Sequence, residues 1–325
     1  MSFTKSAVLP VSPDEAFALI TEPERLRRWQ TVTATVDLRA GGSYRWTVTP
    51  GHIAEGTYRE VEPGRRVVFG WGWDENPDLP KDASTVTVTI EPVAEGSRIT
   101  LVHEGLTEAQ AVQHAEGWNH FFERLERLAT TGDAGADDWA WAPENLTPIV
   151  AAEAALAVIQ PVLRNLTPAD RPKPTPCADF TAHELAEHLL GSLVQLGGMA
   201  GATLTIPAEG SLEDKVSVLA GQAIEAWRAI DLDGAVAGPG GSDVPAMFLA
   251  SILPLELLLH GWDLAQASGQ DLRVSDEVAG YIHELTRGVV AQGRGSSFAD
   301  EITPAADADA VERFAAYAGR TRIPA

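Results

Sequence analysis

Residues 84–129 read STVTVTIEPVAEGSRITLVHEGLTEAQAVQHAEGWNHFFERLERLA, and this stretch decides the fold of the first part of the chain. Its first half alternates apolar with polar or β-branched residues. Segments 84–93 and 97–105 have period two and are separated by the turn 94–96, Ala-Glu-Gly, which predicts two strands. The second half switches period. Trp118, Phe121, Phe122, Leu125 and Leu128 recur at helical spacing, which predicts a long amphipathic helix closing the unit.

Upstream of these strands the pattern stays strand-rich. FTKSAVLPV (3–11) reads as a strand, and Ser12, Pro13 and Glu15 read as a capping box with proline at the first helical position. Short helices are expected over 14–21 and 22–29. Further strands are expected over 33–39, 42–49, 54–62 and 65–73, divided by Gly- and Pro-containing turns. Downstream, TTGDAGADDWAWAPENLTP lacks periodicity and reads as a linker. Beyond it, segments 148–166, 181–202, 212–230, 244–268, 275–292 and 307–319 are helical in pattern, as in an antiparallel bundle. The expected organisation is an α+β domain over 1–132, a linker over 133–147 and an all-α bundle with a C-terminal helical extension over 148–325.

Composition bounds the function. The 325 residues carry a net charge of −22, which argues against a nucleic-acid backbone or an anionic membrane surface as partner. Residues 1–132 hold 13 Lys+Arg and 19 Asp+Glu, a net of −6, so the second part carries −16. The single Cys177 excludes an internal disulfide and fits a reducing cytoplasm. The start of the sequence has no apolar stretch suited to a signal peptide. The most apolar segment, PAMFLASILPLELLLHGW, is interrupted by Pro254, Glu256 and His260, so no membrane span is expected.

Those same two residues raise the chemical question. Glu256 and His260 stand at i and i+4, one turn apart on one helix face. A transition metal needs such a pair and a further ligand from another element. His188, among Leu185, Leu189 and Leu193, is the candidate, with its side chain expected toward the bundle interior. The spacing also fits an ordinary surface pair and a satisfied core histidine. Against that, an unpaired carboxylate in so apolar a segment is costly, and a cation shared with two imidazoles removes the cost. Asp263, one turn after His260, either orients a ligand imidazole or caps the helix. Cys177 reads as a packing residue ahead of Asp179, the expected N-cap of the His188 helix. Arg287, His283 and QGRGSSF (292–298) read as a solvated loop, with the mouth of the site as the alternative.

Two stretches resemble known families. TPCADFTAHELAEHLLG (175–191) followed by LPLELLLHGWDLAQASGQ (253–270), with the closing GRTRIP, resembles the DinB-like metal-binding bundles, which include the mycothiol-dependent maleylpyruvate isomerases. The resemblance implies one divalent ion, usually zinc, held by His188, Glu256 and His260, and mycothiol as a possible thiol cofactor. The region GWGWDENPDLPKDASTVTVTIEPVAEGSRITLVHEGL with the later GWNHFFERL resembles the START-like (SRPBCC) superfamily, in its branch related to the activator of the heat-shock-protein ATPase. That resemblance implies a helix-grip fold around an apolar cavity. Trp46, His52, Trp71, Trp73, His103 and Trp118 are the expected cavity residues, with plain core packing as the other reading. The expected function is a zinc-dependent thiol transferase or isomerase acting on an electrophilic small molecule. The alternatives are a non-catalytic binding or stress-response protein with a structural metal, and a metal-water hydrolase or cyclase.

Overall fold

A computed structural model describes residues 1–238 and 241–323. Pro324, the last residue of the closing GRTRIP motif, lies outside them. The chain divides into two compact units, Met1–Ala136 and Asp137–Ala325.

The first unit is α+β. Its strands are β1 (Ser2–Leu9), β2 (Thr33–Val36), β3 (Ser43–Thr49), β4 (His52–Glu62), β5 (Arg66–Trp73), β6 (Ser84–Val93) and β7 (Gly96–Glu104). Helices α1 (Pro13–Thr21) and α2 (Pro23–Leu26) follow β1, and α3 (Glu108–Thr131) follows β7. The strands form one antiparallel sheet in the order β1-β7-β6-β5-β4-β3-β2, wrapped around α3 as a helix-grip. The quoted stretch behaves as its two periods require. Val86, Val88 and Ile90 are buried while the threonines between them are half-buried. On α3, Trp118, Phe121, Phe122, Leu125 and Leu128 form the buried face. Each such side chain contributes roughly 1.5–3 kcal/mol through burial. A capping box fixes the start of α3, with Gln110 N–H donating to Thr107 Oγ1 (3.3 Å) and Thr107 N–H to Gln110 Oε1 (2.9 Å).

The cap of α1 is only half of the expected box. Glu15 N–H donates to Ser12 Oγ at 3.2 Å, but the Glu15 carboxylate pairs with Arg25 at 2.9 Å. An ion pair to the next helix replaces the reciprocal cap. In the middle of the sheet, β4 and β5 approach closely at Gly56, where an added Cβ would lie 1.9 Å from the Gly70 carbonyl oxygen. Only glycine fits there.

The end of the first unit is tied down. Ala134 packs into its core, and Arg124 donates to the carbonyls of Gly135 (3.1 Å) and Ala136 (2.7 Å). The second unit begins with a single turn, α4 (Asp138–Trp141). Limited proteolysis is therefore expected to cut first within 142–147, the largely exposed stretch between that turn and the next helix. Mass spectrometry of the first fragments checks this, and initial cleavage within 1–136 or beyond residue 148 would contradict it.

The second unit is largely helical, with α5 (Pro148–Asn165), α6 (Ala182–Met199), α7 (Leu212–Arg228), α8 (Ala246–Ala250), α9 (Ile252–Ser268), α10 (Asp276–Gln292) and α11 (Ala310–Tyr317). A small hairpin of β8 (Ala235–Ala237) and β9 (Asp243–Pro245) precedes α8. Its strands are too short to carry a readable alternation. α5 packs on α7 and α9, α6 on α7 and α9, and α10 on α9 and α11. α9 carries buried apolar residues around most of its circumference and sits in the core: Leu253, Leu255, Leu257, Leu258, Leu259, Trp262 and Leu264 are all buried. Residues Ala246–Ser268 are long and apolar enough to cross a membrane, and 78% of their most apolar stretch is buried inside the protein.

Candidate metal centre

α6 and α9 bring the three expected ligands together. α6 starts at a capping box in which Glu184 N–H donates to Thr181 Oγ1 (3.4 Å) and Thr181 N–H to Glu184 Oε2 (2.9 Å). Thr181, and not Asp179, is the N-cap, because only Thr181 has a glutamate three residues on to complete the box. His188 lies two turns into this helix. Glu256 and His260 lie one turn apart on α9. Between His260 and Trp262, Gly261 lets α9 press against α5, since a Cβ there would meet Ile159 Cγ2 at 2.1 Å.

Glu256 Oε2 is the focus of the site. It lies 3.6 Å from His188 Nε2 and 3.4 Å from His260 Nε2, and one ligand atom from each of the three residues falls within 4.8 Å of the others. Oε2 is buried and makes no hydrogen bond among the described residues. Such an orphan costs about 1–3 kcal/mol or more. The spacing explains it. Ligand atoms about 2.0–2.2 Å from a tetrahedral zinc stand about 3.3–3.5 Å apart, slightly longer than a good N–H···O bond. The donor set of two imidazole nitrogens and one carboxylate oxygen suits a divalent ion.

The surroundings are graded from wet to dry. The His188 side chain is 38% exposed, Glu256 14% and His260 5%, so the approach to the site runs past His188. Phe180 stacks on the His188 ring (5.0 Å, 27°), and Ser192 Oγ lies 3.4 Å from His188 Nε2. His260 and His188 meet edge to face at 5.1 Å.

Electrostatics reflect a site that seeks positive charge. Burial disfavours the Glu256 carboxylate, but the His260 charge and the two imidazole nitrogens beside it outweigh that and hold the carboxyl well below the usual range. Burial likewise disfavours the His260 imidazolium. Glu256 and Asp263 overcome that and lift it to about 9. A divalent ion between Glu256 and the two imidazoles would supply positive charge in place of that proton.

His260 is held from behind. Its Nδ1 lies 3.2 Å from Asp263 Oδ2, which also accepts from Arg320 Nε at 3.0 Å. Asp263 is fully buried. With Nδ1–H on Asp263, Nε2 is left to face Glu256. Cys177 lies on this rear side, where Arg320 Nη2 approaches its Sγ at 3.9 Å. Burial, reduced by Arg320 and reinforced by the nearby carboxylates, pushes the thiol up to about 11. An unionised, half-buried thiol fits its reading as a packing residue. Phe180, Ser192 and Arg320 were not legible as site residues. Ser192 follows His188 by four residues, a usable signal, whereas Arg320 is 57 residues from Asp263.

His183 is bound to Arg171 (2.9 Å) and Glu187 (3.5 Å), outside the triad. His283 stacks on Phe314 at 5.2 Å, while Arg287 and Arg294 lie over Tyr317 at 5.3 and 4.9 Å. These residues join α10 to α11.

In the first unit, Trp46, Trp71, Trp73, His103 and Trp118 form one aromatic cluster. Trp71 lies 6.2 Å from Trp46, 5.3 Å from both Trp73 and Trp118, and 5.9 Å from His103. His52 is not among them: it is exposed at the start of β4, 3.2 Å from Thr49 Oγ1. His114, one helical turn before Trp118 but unmarked by any motif, takes its place, 4.9 Å from His103. The two imidazoles have fixed tautomers. Trp118 Nε1–H donates to His103 Nδ1 (3.1 Å), His103 Nε2–H to Ser84 Oγ (2.9 Å), and Ser84 Oγ–H to the Trp71 carbonyl (3.0 Å). Trp73 Nε1–H donates to His114 Nε2 (3.2 Å), whose Nδ1–H bonds the Gln110 carbonyl (2.8 Å). Burial, with His114 alongside, lowers His103 to about 3, and burial lowers His114 as well. Three polar atoms of this core, Trp46 Nε1, Trp71 Nε1 and Tyr58 Oη, have no partner among the described residues.

Comparison with known proteins places an AHSA1 (SRPBCC) domain at residues 10–130, which match the family described as Activator of Hsp90 ATPase homolog 1-like protein. An uncharacterized protein of Mycobacterium tuberculosis strain H37Rv is 28% identical over 188 residues, covering 54% of this chain and 99% of its own length. That match is longer than the first unit and so reaches into the second. The solution structure of an AHSA1-like protein from Rhizobium etli is 32% identical, covering 45% of this chain and 91% of that one, with a TM-score of 0.37. The solution structure of the Aha1 dimer from Colwellia psychrerythraea is 13% identical, covering 41% of this chain and 98% of that one, also with a TM-score of 0.37.

Proposed function

We propose that the second unit binds one divalent ion, zinc in type, through His188, Glu256 and His260, and uses it to activate a low-molecular-weight thiol for transfer to, or isomerisation of, an electrophilic small molecule. The observation that carries this reading is Glu256 Oε2, buried, unbonded and set between two imidazole nitrogens at 3.4 and 3.6 Å. The resemblance to DinB-like bundles and mycothiol-dependent isomerases supports the choice of a thiol, with mycothiol as the leading cofactor.

A divalent ion held by His188, Glu256 and His260 would leave room for a thiol or water and would acidify it. The chain's own residues supply the rest. Asp263 retains the proton on His260 Nδ1. Glu256 contributes the one anion of the ligand set, so the site keeps net positive charge for a thiolate. The exposed side of His188, walled by Phe180, admits the reactants. The first unit binds an apolar ligand bearing hydrogen-bond acceptors, a reading supported by the unpartnered donors of Trp46, Trp71 and Tyr58. Small molecules in the cytoplasm are then the partners, and the net charge of −22 is unsuited to nucleic acid or anionic membranes.

The test offers the metal-loaded protein an electrophilic probe with mycothiol, with glutathione or cysteine, and with no thiol. Metal-dependent conjugation that requires thiol is the expected result. Turnover without thiol would favour a metal-water hydrolase, and no turnover in a protein that keeps its metal would favour a binding protein.

A further inference from the structure

His260 belongs to two clusters, one on each ring nitrogen. Nε2 faces Glu256 and His188. On the Nδ1 side stand Asp263 and Cys177, and these three residues also place one ligand atom each within 4.8 Å of one another. By ligand type the rear cluster is the softer of the two, since it includes a thiol. What distinguishes it is that a protein cation already lies in it. The Arg320 guanidinium donates through Nε to Asp263 Oδ2 at 3.0 Å and through Nη2 to Cys177 Sγ at 3.9 Å. Its side chain is 5% exposed. Nη1 bonds the Ala318 carbonyl at 3.3 Å, and Cζ lies 5.7 Å from the Phe298 ring centroid. The head group is therefore fixed in place, and it cannot shed its proton.

We propose that Arg320 is a positioning residue of the metal centre: it fills the Cys177–His260–Asp263 cluster as a resident cation, presses Asp263 onto His260 Nδ1, and so confines a metal ion to the His188–Glu256–His260 face with no sulfur ligand. This rests on the metal reading above. Two effects follow from one guanidinium. Its positive charge in the rear cluster repels a second cation within a few ångströms, where the interior screens poorly. Its planar fork shares one carboxylate with the imidazole, which fixes the ring orientation and leaves Nε2 forward. A residue from the segment after α11 thereby decides how many ions the α6–α9 site holds and which ligands they see.

The experiment is cobalt titration of chelator-stripped full-length protein, followed by absorption spectroscopy, on wild type, Arg320→Lys, Arg320→Met and Arg320→Met combined with Cys177→Ser. Circular dichroism first establishes that each is folded. Wild type is expected to bind one cobalt with ligand-field bands and no sulfur-to-cobalt charge-transfer band. Arg320→Met is expected to weaken cobalt binding by about 10–100-fold, the usual cost of losing such support. It should also gain the sulfur band, and Cys177→Ser should remove it. Arg320→Lys keeps the charge, so it should lack the sulfur band while losing part of the affinity with the planar fork. A sulfur band in wild type, or the lack of either change in folded Arg320→Met, overturns the proposal. If Arg320→Met does not fold, Arg320→Lys decides: unchanged affinity or a sulfur band overturns it. Wild type that takes up no cobalt overturns the metal reading itself, and this role with it.

Discussion

Replacement of His188 by alanine is expected to drop bound metal well below one ion per chain, measured by elemental analysis of protein purified without chelator. The same holds for His260→Ala. Each change leaves two ligands, and two ligands hold a divalent ion poorly. His188→Ala is the cleaner of the two, because its side chain is 38% exposed and its removal leaves the helix face standing. His260 is 5% exposed and shares Asp263 with Arg320, so its loss also disturbs the rear network. Glu256→Gln should weaken binding less than either histidine change, since the amide oxygen still coordinates although the anion is gone. Wild-type uptake should rise with pH as His260 yields the proton it holds up to about 9 in the metal-free protein. Stoichiometric metal in both histidine variants would sink the ligand assignment.

The second large effect lies in the first unit. Its stability is expected to fall by about 3–5 kcal/mol between neutral pH and pH 3, followed by denaturant unfolding across that range. The cause is His103, fully buried, with both ring nitrogens bonded, and lowered to about 3 from an ordinary 6.5. The sign follows from proton counts. Below pH 6.5 the unfolded chain protonates this imidazole while the native state does not, so acid favours unfolding. The contribution is complete above 6.5 and is lost as pH falls toward 3, with a slope near 1.4 kcal/mol per pH unit. His114, lowered by burial in the same cluster, adds in the same direction. A domain is worth only about 5–15 kcal/mol in total, so the loss is a large fraction. His103→Gln, which can keep a donor and an acceptor, should flatten the profile at the cost of some packing. A wild-type profile that is flat from pH 7 to 4 would show that His103 is not the neutral, locked imidazole seen in the core.

The sequence alone determined the elements and the local pairings. Period two over 84–93 and 97–105 gave β6 and β7, and the aromatic repeat gave α3, because alternation and helical spacing are fixed by backbone geometry within one segment. The placement of Glu256 and His260 on one face of α9 is of the same kind. The expectation of Asp179 as the N-cap of α6 is wrong; the cap is Thr181, whose box with Glu184 is the local signal that this expectation passes over. Tertiary structure decided everything that depends on which segments meet. It brought His188 onto Glu256 from another helix, set Arg320 behind Asp263 from beyond α11, and paired His103 with His114 while leaving His52 in solvent. Such contacts are not written in any local period. They follow from how whole faces pack, and packing also set the partners, tautomers and neutral charge of His103 and His114, because burial removes water and leaves each polar atom only the neighbours the fold supplies.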